Sequence, residues 1–189
     1  YLGSAIAMDK DLTKRLVADV VNTPGWKMVD VRAEDIDGLV ASARLPLVVK
    51  PVASGSSIGV SIVHTPEELR RALTDALALG GRTVLEEYVK GRELQVGILE
   101  DEALPAIEII PKQGFYDYEN KYQPGAAEEV CPADISPETE AKLRSAAVRV
   151  YETLGLSVYS RADFILDGAG EIWFLEINTL PGMTPTSLL

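Results

Sequence analysis

Toward its end the chain has two apolar stretches joined by a short turn, and this pattern constrains the fold more than any other feature. Residues 158–166 and 171–178 are rich in β-branched, aromatic and leucine side chains, and Asp167-Gly168-Ala169-Gly170 separates them. Apolar runs of this length around a Gly-containing turn are typical of a β-hairpin. We therefore expect two paired strands here.

Polar residues interrupt both stretches at alternate positions. Arg161 and Asp163 are two apart, as are Glu176 and Asn178. Because strand side chains alternate between faces, the turn can bring all four to one face. Asp163, Glu176 and Asn178 would then offer three oxygen ligands, which suit Mg²⁺. The spacing alone is equally compatible with a solvated polar face. The apolar neighbours favour a site, since buried charges without partners are costly.

The rest of the sequence predicts an α+β chain with two subdomains, residues 1–83 and 84–189. Helical spacing and capping residues predict helices over residues 8–21, 33–43, 65–80 and 136–154. Apolar or alternating runs predict strands over residues 26–31, 45–49, 60–63, 84–89, 93–99 and 104–110.

Composition restricts the functional classes. The chain has 189 residues, a formal net charge of −11 and one cysteine, Cys131, which cannot form an internal disulfide. The cysteine usage suits a cytoplasmic protein. The acidity argues against a nucleic-acid partner, and we expect neither a membrane partner nor a secretory signal, because no apolar run is long enough. Both ends look cut, so we expect a fragment of a longer protein.

Three other segments carry weaker signals. Lys50 precedes a small-residue loop, residues 54–59, whose free N–H groups could hold phosphate, although a plain turn is the commoner explanation. Residues 113–134 form a long aromatic loop that could be a lid or a partner-binding loop. Glu86 and Glu93 could hold adenine and ribose, or could be solvated charges.

Taken in order, the motifs resemble the D-alanine–D-alanine ligase family of ATP-grasp enzymes. The resemblance covers nearly the whole chain. The matching segments are Ser4-Ala5-Ile6-Ala7-Met8-Asp9-Lys10, Val49-Lys50-Pro51, Gly55-Ser56-Ser57-Ile58-Gly59-Val60, Phe115-Tyr116-Asp117-Tyr118-Glu119-Asn120-Lys121-Tyr122, Cys131-Pro132-Ala133, Arg161-Ala162-Asp163 and Glu176-Ile177-Asn178-Thr179-Leu180-Pro181-Gly182-Met183-Thr184.

The resemblance implies an ATP-grasp fold of two subdomains, with the nucleotide between their sheets. It also implies an enzyme that uses ATP to join two D-alanines through a D-alanyl phosphate for peptidoglycan synthesis. The family's first domain and its C-terminal tail would be missing, so the fragment alone should be inactive. The cofactors implied are ATP with two Mg²⁺ ions, or Mn²⁺, and the full-length protein would be a homodimer.

The resemblance also assigns roles to particular residues. Those expected to contact nucleotide are Lys10 and Lys50 on the phosphates, Ser57 in the loop, Glu86 and Glu93 on adenine and ribose, and the backbone of Glu87, Tyr88 and Val89. Those expected to act in catalysis are Arg161 and Gly182 on the oxyanion, Lys121 on the phosphoryl group, and Ser56 with Tyr122 in a loop-to-lid network. Asp163, Glu176 and Asn178 would ligate the metal, and Ser187 and Leu188 would receive the second substrate.

Three alternatives stay open. The enzyme could join D-alanine to D-lactate, although Tyr122 resembles the dipeptide-forming type. It could be an ATP-grasp ligase for another carboxylate and amine. The chain could also be a module that binds Mg·ATP without chemistry.

Overall fold

The computed structural model describes residues 1–55, 57–111 and 127–182. The helices, in chain order, are α1 (Leu2–Ala7), α2 (Lys10–Val17), α3 (Ile36–Ser42), α4 (Pro66–Ala78) and α5 (Pro137–Thr153). The strands are β1 (Trp26–Asp30), β2 (Leu47–Pro51), β3 (Ser61–Val63), β4 (Arg82–Glu87), β5 (Gly91–Leu99), β6 (Glu102–Ala103), β7 (Ile107–Pro111), β8 (Ala127–Val130), β9 (Tyr159–Asp167) and β10 (Ile172–Asn178).

The chain divides into two compact units. One is Pro24–Tyr88, and the other combines Tyr1–Thr23 with Val89–Leu189. These bounds differ from the predicted division into residues 1–83 and 84–189. The difference arises because residues 1–23 pack with the later part of the chain, and because β4 runs on to Glu87.

The unit Pro24–Tyr88 is a four-stranded antiparallel sheet in the order β1-β4-β2-β3, and α3 and α4 complete its core. Helix α4 begins as the sequence predicts. Thr65 and Glu68 form a reciprocal capping box, and Pro66 occupies the first turn. Leu69 and Leu73 of this helix are fully buried.

The second unit contains an antiparallel sheet in the order β10-β9-β5-β7-β8, with β6 paired to β5. Helix α5 covers the face that carries Leu94, Val96 and Phe164, which are fully buried. The other face of β5, β9 and β10 carries the polar residues of the predicted site. The sheet therefore separates an apolar layer from a polar one.

At the start of the chain, the helix predicted over residues 8–21 is the shorter α2, which begins where the Asp9 side chain accepts a hydrogen bond from Leu12 N. Helix α1 precedes it and was not predicted. In the described ranges, none of the helices has the length and apolar character needed to cross a bilayer.

Candidate active site

The β9–β10 hairpin places the four predicted polar residues on one face. In its antiparallel register, Asp163 pairs with Glu176 and Arg161 pairs with Asn178. Directly paired residues project to the same side of a sheet. The placement therefore agrees with the one that the spacing predicts.

A β-bulge at Leu175 makes this register possible. Phe174 pairs with Phe164 and Glu176 pairs with Asp163, which leaves Leu175 as the extra residue of β10. Strict alternation would put Phe174 and Glu176 on the same face. The bulge instead leaves Phe174 fully buried in the core and turns Glu176 to the polar face.

Arg161 holds the Asp163 carboxylate in a two-pronged contact. Its Nε donates to Oδ1 at 2.8 Å and its Nη2 donates to Oδ2 at 3.0 Å, a fork that matches carboxylate geometry. Asn178 Nδ2 donates to the same Oδ2 at 3.4 Å. Burial acts to lower the pKa of Arg161, but the charges of Asp163, Glu176 and Glu93 outweigh it and raise that pKa. The guanidinium is thus a permanent cation in this site.

The second carboxylate of the hairpin also faces a cation. Lys10 Nζ lies 3.3 Å from Glu176 Oε2. Lys10 is the first residue of α2 and is buried, with 8% of its surface exposed. The cap at Asp9 thereby fixes where this ammonium group enters the polar face.

Strand β5 adds two polar residues to the same face. Gln95 pairs with Asp163, and Glu93 pairs with Ile165. The Glu93 charge acts on Arg161, as its effect on the arginine pKa indicates. Glu93, which the resemblance places with Glu86 on adenine and ribose, therefore interacts electrostatically with the hairpin site.

The oxygen donors of this face fit a hard divalent cation. Asp163 and Glu176 each already face a positive group, so the position favours cations. Among the residues that the structure describes, no three or more His, Cys, Asp and Glu side chains form a metal cluster. Mg²⁺ accepts a few carboxylates and completes its shell with water or phosphate. Two carboxylates and the Asn178 amide oxygen meet that requirement.

The unit Pro24–Tyr88 contains a buried ion pair between two predicted nucleotide ligands. Lys50 Nζ lies 2.5 Å from Glu86 Oε1, and the residues are 8% and 1% exposed. Lys50 pairs with Val84 in the β2–β4 ladder, so Glu86 is its diagonal neighbour on the same face. The lysine predicted for phosphate and the glutamate predicted for adenine or ribose therefore contact each other.

The small-residue loop after β2 satisfies part of its backbone internally. Ile58 N donates to Gly55 O at 3.1 Å, and Val60 N donates to Ser57 O at 3.1 Å. Ser54 Oγ donates to Ile58 O at 2.9 Å. The N–H groups of Ile58 and of Val60, directly after the loop, are therefore engaged, and the phosphate-binding role of the loop stays a prediction.

The segment predicted to bind the adenine edge is similarly engaged. Glu87 N donates to Gly25 O at 2.8 Å, and Tyr88 N donates to Pro46 O at 3.4 Å. Val89 begins the other unit. Two of the three backbone donors of this segment thus already have partners within their own unit.

The remaining predicted residues lie at or beyond the limits of the described chain. Gly182 is the last residue before the undescribed range 183–189 and is exposed. Those outside the described residues are Ser56, Lys121, Tyr122, Ser187 and Leu188.

Sequence reasoning missed two contributors to this region. Gln95 is signalled only by the alternation of polar and apolar residues over 93–96. Lys14 is almost fully buried at 1% exposure and donates to Thr23 Oγ1. No pattern in the sequence distinguishes this lysine from a solvated helix residue.

Comparison with known proteins identifies the family. The family described as "D-ala D-ala ligase C-terminus" matches residues 19–189. The chain belongs to this family. A D-alanine–D-alanine ligase of Geobacter sulfurreducens is 45% identical over 188 residues, which cover 100% of the chain and 60% of that protein. One of Desulfotalea psychrophila is 44% identical, with coverage of 100% and 61%.

Solved structures agree with the D-ala D-ala ligase C-terminus assignment. The D-alanine–D-alanine ligase of Bacillus anthracis matches with a TM-score of 0.84 at 34% identity, covering 99% of the chain and 61% of the ligase. The VanG D-Ala:D-Ser ligase of Enterococcus faecalis matches with 0.85 at 35%, covering 98% and 56%. The fold is therefore α+β of the ATP-grasp type, as predicted. The chain spans about 60% of the length of the relatives it matches.

Proposed function

We propose that the protein containing this chain is an ATP-dependent, ADP-forming ligase that joins two D-alanines for peptidoglycan precursor synthesis in the cytoplasm. Membership of the D-ala D-ala ligase C-terminus family supports the proposal. The observation that carries it is the contact of Arg161 with the buried Asp163 carboxylate, beside Glu176 and Asn178. This arrangement combines a fixed cation with oxygen donors for a metal.

The proposed reaction has two steps. A carboxylate oxygen of the first D-alanine attacks the γ-phosphorus of ATP, which forms D-alanyl phosphate and releases ADP. The amine of the second D-alanine then attacks the acyl carbon, loses a proton and expels inorganic phosphate as the peptide bond forms. Both steps bring negatively charged groups together and require water to be excluded.

Positively charged side chains of the protein can neutralise the negative groups that both steps bring together. In the proposal Lys10 and Lys50 neutralise ATP phosphates, and Lys121 neutralises the transferring phosphoryl group. Arg161 stabilises the oxyanion that develops when the amine attacks, with the Gly182 N–H as a second donor. The raised pKa of Arg161 supports this role, because the guanidinium keeps its charge throughout.

Asp163, Glu176 and Asn178 would hold two Mg²⁺ ions, or Mn²⁺, which when bound would neutralise charge on the β- and γ-phosphates. A structure of the Bacillus anthracis ligase complexed with ATP matches this chain with a TM-score of 0.81 at 31% identity, which supports nucleotide use.

The remaining proposed roles complete nucleotide and substrate binding. We assign Pro24–Tyr88 as the phosphate-loop subdomain and the other unit as the subdomain with the metal and substrate residues. Proposed nucleotide contacts are Ser57, Glu86, Glu93 and the backbone of Glu87, Tyr88 and Val89. Proposed substrate contacts are Ser187 and Leu188, with Ser56 and Tyr122 in a hydrogen-bond network. The full-length protein is proposed to be a homodimer.

A second candidate concerns the group that attacks the acyl phosphate. The similarity to the VanG D-Ala:D-Ser ligase favours testing D-serine beside D-alanine. D-lactate is the corresponding hydroxyl acceptor.

The substrate assignment is tested with the full-length gene product, Mg·ATP and D-alanine, offered alone or with D-serine or D-lactate. Mass spectrometry of the products should show D-alanyl-D-alanine as the main product in all three mixtures. A dominant D-alanyl-D-serine or D-alanyl-D-lactate would move the assignment to the second candidate. ATP binding without any product would support a module that binds nucleotide only.

A further inference from the structure

A buried amide on β5 completes a row of polar residues across three strands. Gln95 is the register partner of Asp163 between β5 and β9, and Asp163 is the register partner of Glu176 between β9 and β10. Register partners share a face and have adjacent Cβ atoms. Gln95 therefore stands next to the carboxylate that the proposed function assigns to the metal. It is 2% exposed.

The Gln95 Oε1 atom is buried and accepts no hydrogen bond from any residue in the described part of the chain. Buried side-chain oxygens in proteins nearly always have a partner, so such an exception calls for an explanation. The two cations on this face are engaged elsewhere, since Arg161 holds Asp163 and Lys10 faces Glu176. The row thus contains a buried acceptor that these two cations do not satisfy.

We propose that Gln95 Oε1 is a further oxygen donor for the divalent cation that Asp163 and Glu176 hold. The inference rests on the proposed function, because it assumes that a cation binds there. An amide oxygen is a hard ligand of the kind that Mg²⁺ prefers. It adds a donor without adding negative charge to a face that already carries three carboxylates, Asp163, Glu176 and Glu93.

A purely structural role and a metal-binding role for Gln95 predict different stabilities of the metal-free protein when the residue is replaced. If the amide only packed, its replacement would lower stability with or without a metal. If its oxygen is a metal ligand, replacement by an apolar side chain of similar size removes an unsatisfied polar group. The stability of the metal-free protein then does not fall. Stability in EDTA and metal affinity therefore separate the two roles.

The test measures Mn²⁺ binding in the presence of ADP, by electron paramagnetic resonance of free Mn²⁺, on the full-length protein. We expect Gln95→Met to weaken Mn²⁺ binding by about 10-fold or more, with a Tm in EDTA equal to or above that of the wild type. Gln95→Glu, which keeps an oxygen donor and adds charge, should bind Mn²⁺ at least as tightly as the wild type. Leu94→Met is the matched control, because Leu94 is buried on the opposite face of the same strand, and it should leave Mn²⁺ binding unchanged.

Two results for Gln95→Met would overturn the assignment of Gln95 and leave the rest of the proposed metal site standing. One is Mn²⁺ affinity equal to that of the wild type, and the other is a Tm in EDTA that falls together with the affinity. Should Gln95→Met not fold, Gln95→Glu decides: binding at least as tight as the wild type supports the assignment, and weaker binding overturns it. Failure of the wild type itself to bind Mn²⁺ with ADP would overturn the proposed metal site as well, so the two failures are distinguishable.

Discussion

The Asp163 carboxylate accepts hydrogen bonds from both Arg161 and Asn178 although only 3% of the residue surface is exposed. A buried carboxylate requires such partners, because an unpaired charge in this environment is costly. In the proposed function Asp163 would also hold a metal ion, and Arg161, which contacts it, would stabilise the oxyanion.

Away from the site, the buried Tyr151 of α5 makes the stability of the folded protein depend on pH in the alkaline range. Burial and the neighbouring Asp101 charge raise the pKa of Tyr151 to about 12, from an ordinary value of 10.0. A pKa raised in the folded state means that the folded protein binds the proton more tightly. The resulting stability is fully present below pH 10 and is lost as the pH rises from 10 toward 12.

We therefore predict that Tyr151→Phe flattens the loss of stability between pH 10 and 12. The free energy of unfolding in urea, measured at pH 9, 10, 11 and 12, should fall less steeply for Tyr151→Phe than for the wild type. Tyr159→Phe, at a half-buried strand position, provides a matched removal of a tyrosine hydroxyl and should keep the wild-type slope. Identical slopes for Tyr151→Phe and the wild type would contradict the assignment.

Single residues of the site were predictable to different degrees. Spacing places Arg161 with Asp163 and Glu176 with Asn178, because alternation along one strand is a local property, whereas the bulge at Leu175 decides that both pairs share one face. The contribution of Gln95 depends on which strand lies next to β9. That neighbour is distant in sequence, so local periodicity contains no information about it.

Helix α2 and strand β10 are joined by a chain of hydrogen bonds next to the bulge. Lys14 Nζ donates to Thr23 Oγ1, and Thr23 Oγ1 donates to Phe174 O at 3.1 Å. Phe174 N donates to Asn22 O at 2.8 Å. Both backbone polar groups of Phe174 thus have hydrogen-bond partners in residues 22 and 23. Phe174 comes directly before Leu175, the extra residue that turns Glu176 to the polar face.

Replacing the hydroxyl at the centre of this chain should loosen the connection. We expect Thr23→Val to lower the free energy of unfolding by about 1–3 kcal/mol, because the buried Lys14 ammonium and Phe174 O both lose a partner. Urea denaturation at neutral pH measures the difference. Thr23→Ser keeps the hydroxyl and should lose markedly less stability. Equal losses in the two variants would show that the hydroxyl does not support the junction.

Most helices and strands were predictable because their signals are local. The capping box at Thr65 begins α4, and the Gly-containing turn separates β9 from β10. Helix α1 was not predicted, because its 6 residues are too few to show helical periodicity. The bulge at Leu175 was missed as well, because the alternation of side chains along β10 does not indicate where the strand contains an extra residue.

The division of the whole chain was the least predictable property. Residues 1–23 belong with residues 89–189 rather than with the unit that follows them directly. Their placement depends on contacts such as Thr23 with Phe174, which are 151 residues apart. Contacts between residues so far apart in sequence produce no periodic pattern of residue types from which they could be predicted.

The proposed function requires the net charge of −11 to be reconciled with a polyanionic substrate. Lys10, Lys50 and Arg161 are buried, or nearly so, against carboxylates, which fixes positive groups at defined positions in an acidic protein. Magnesium would add positive charge where the substrate phosphates bind. In this account local arrangement decides which ligand the protein accepts, because fixed positive groups can reverse the field of an acidic protein locally.

Release of inorganic phosphate from Mg·ATP by the full-length gene product tests the central claim most directly. D-alanine is compared with L-alanine, and Asp163→Asn serves as the control for the metal and arginine site. The proposed ligase should release phosphate with D-alanine only, and Asp163→Asn should lose most of that activity. Equal, negligible release with both alanines would contradict the assignment of D-alanine as the substrate.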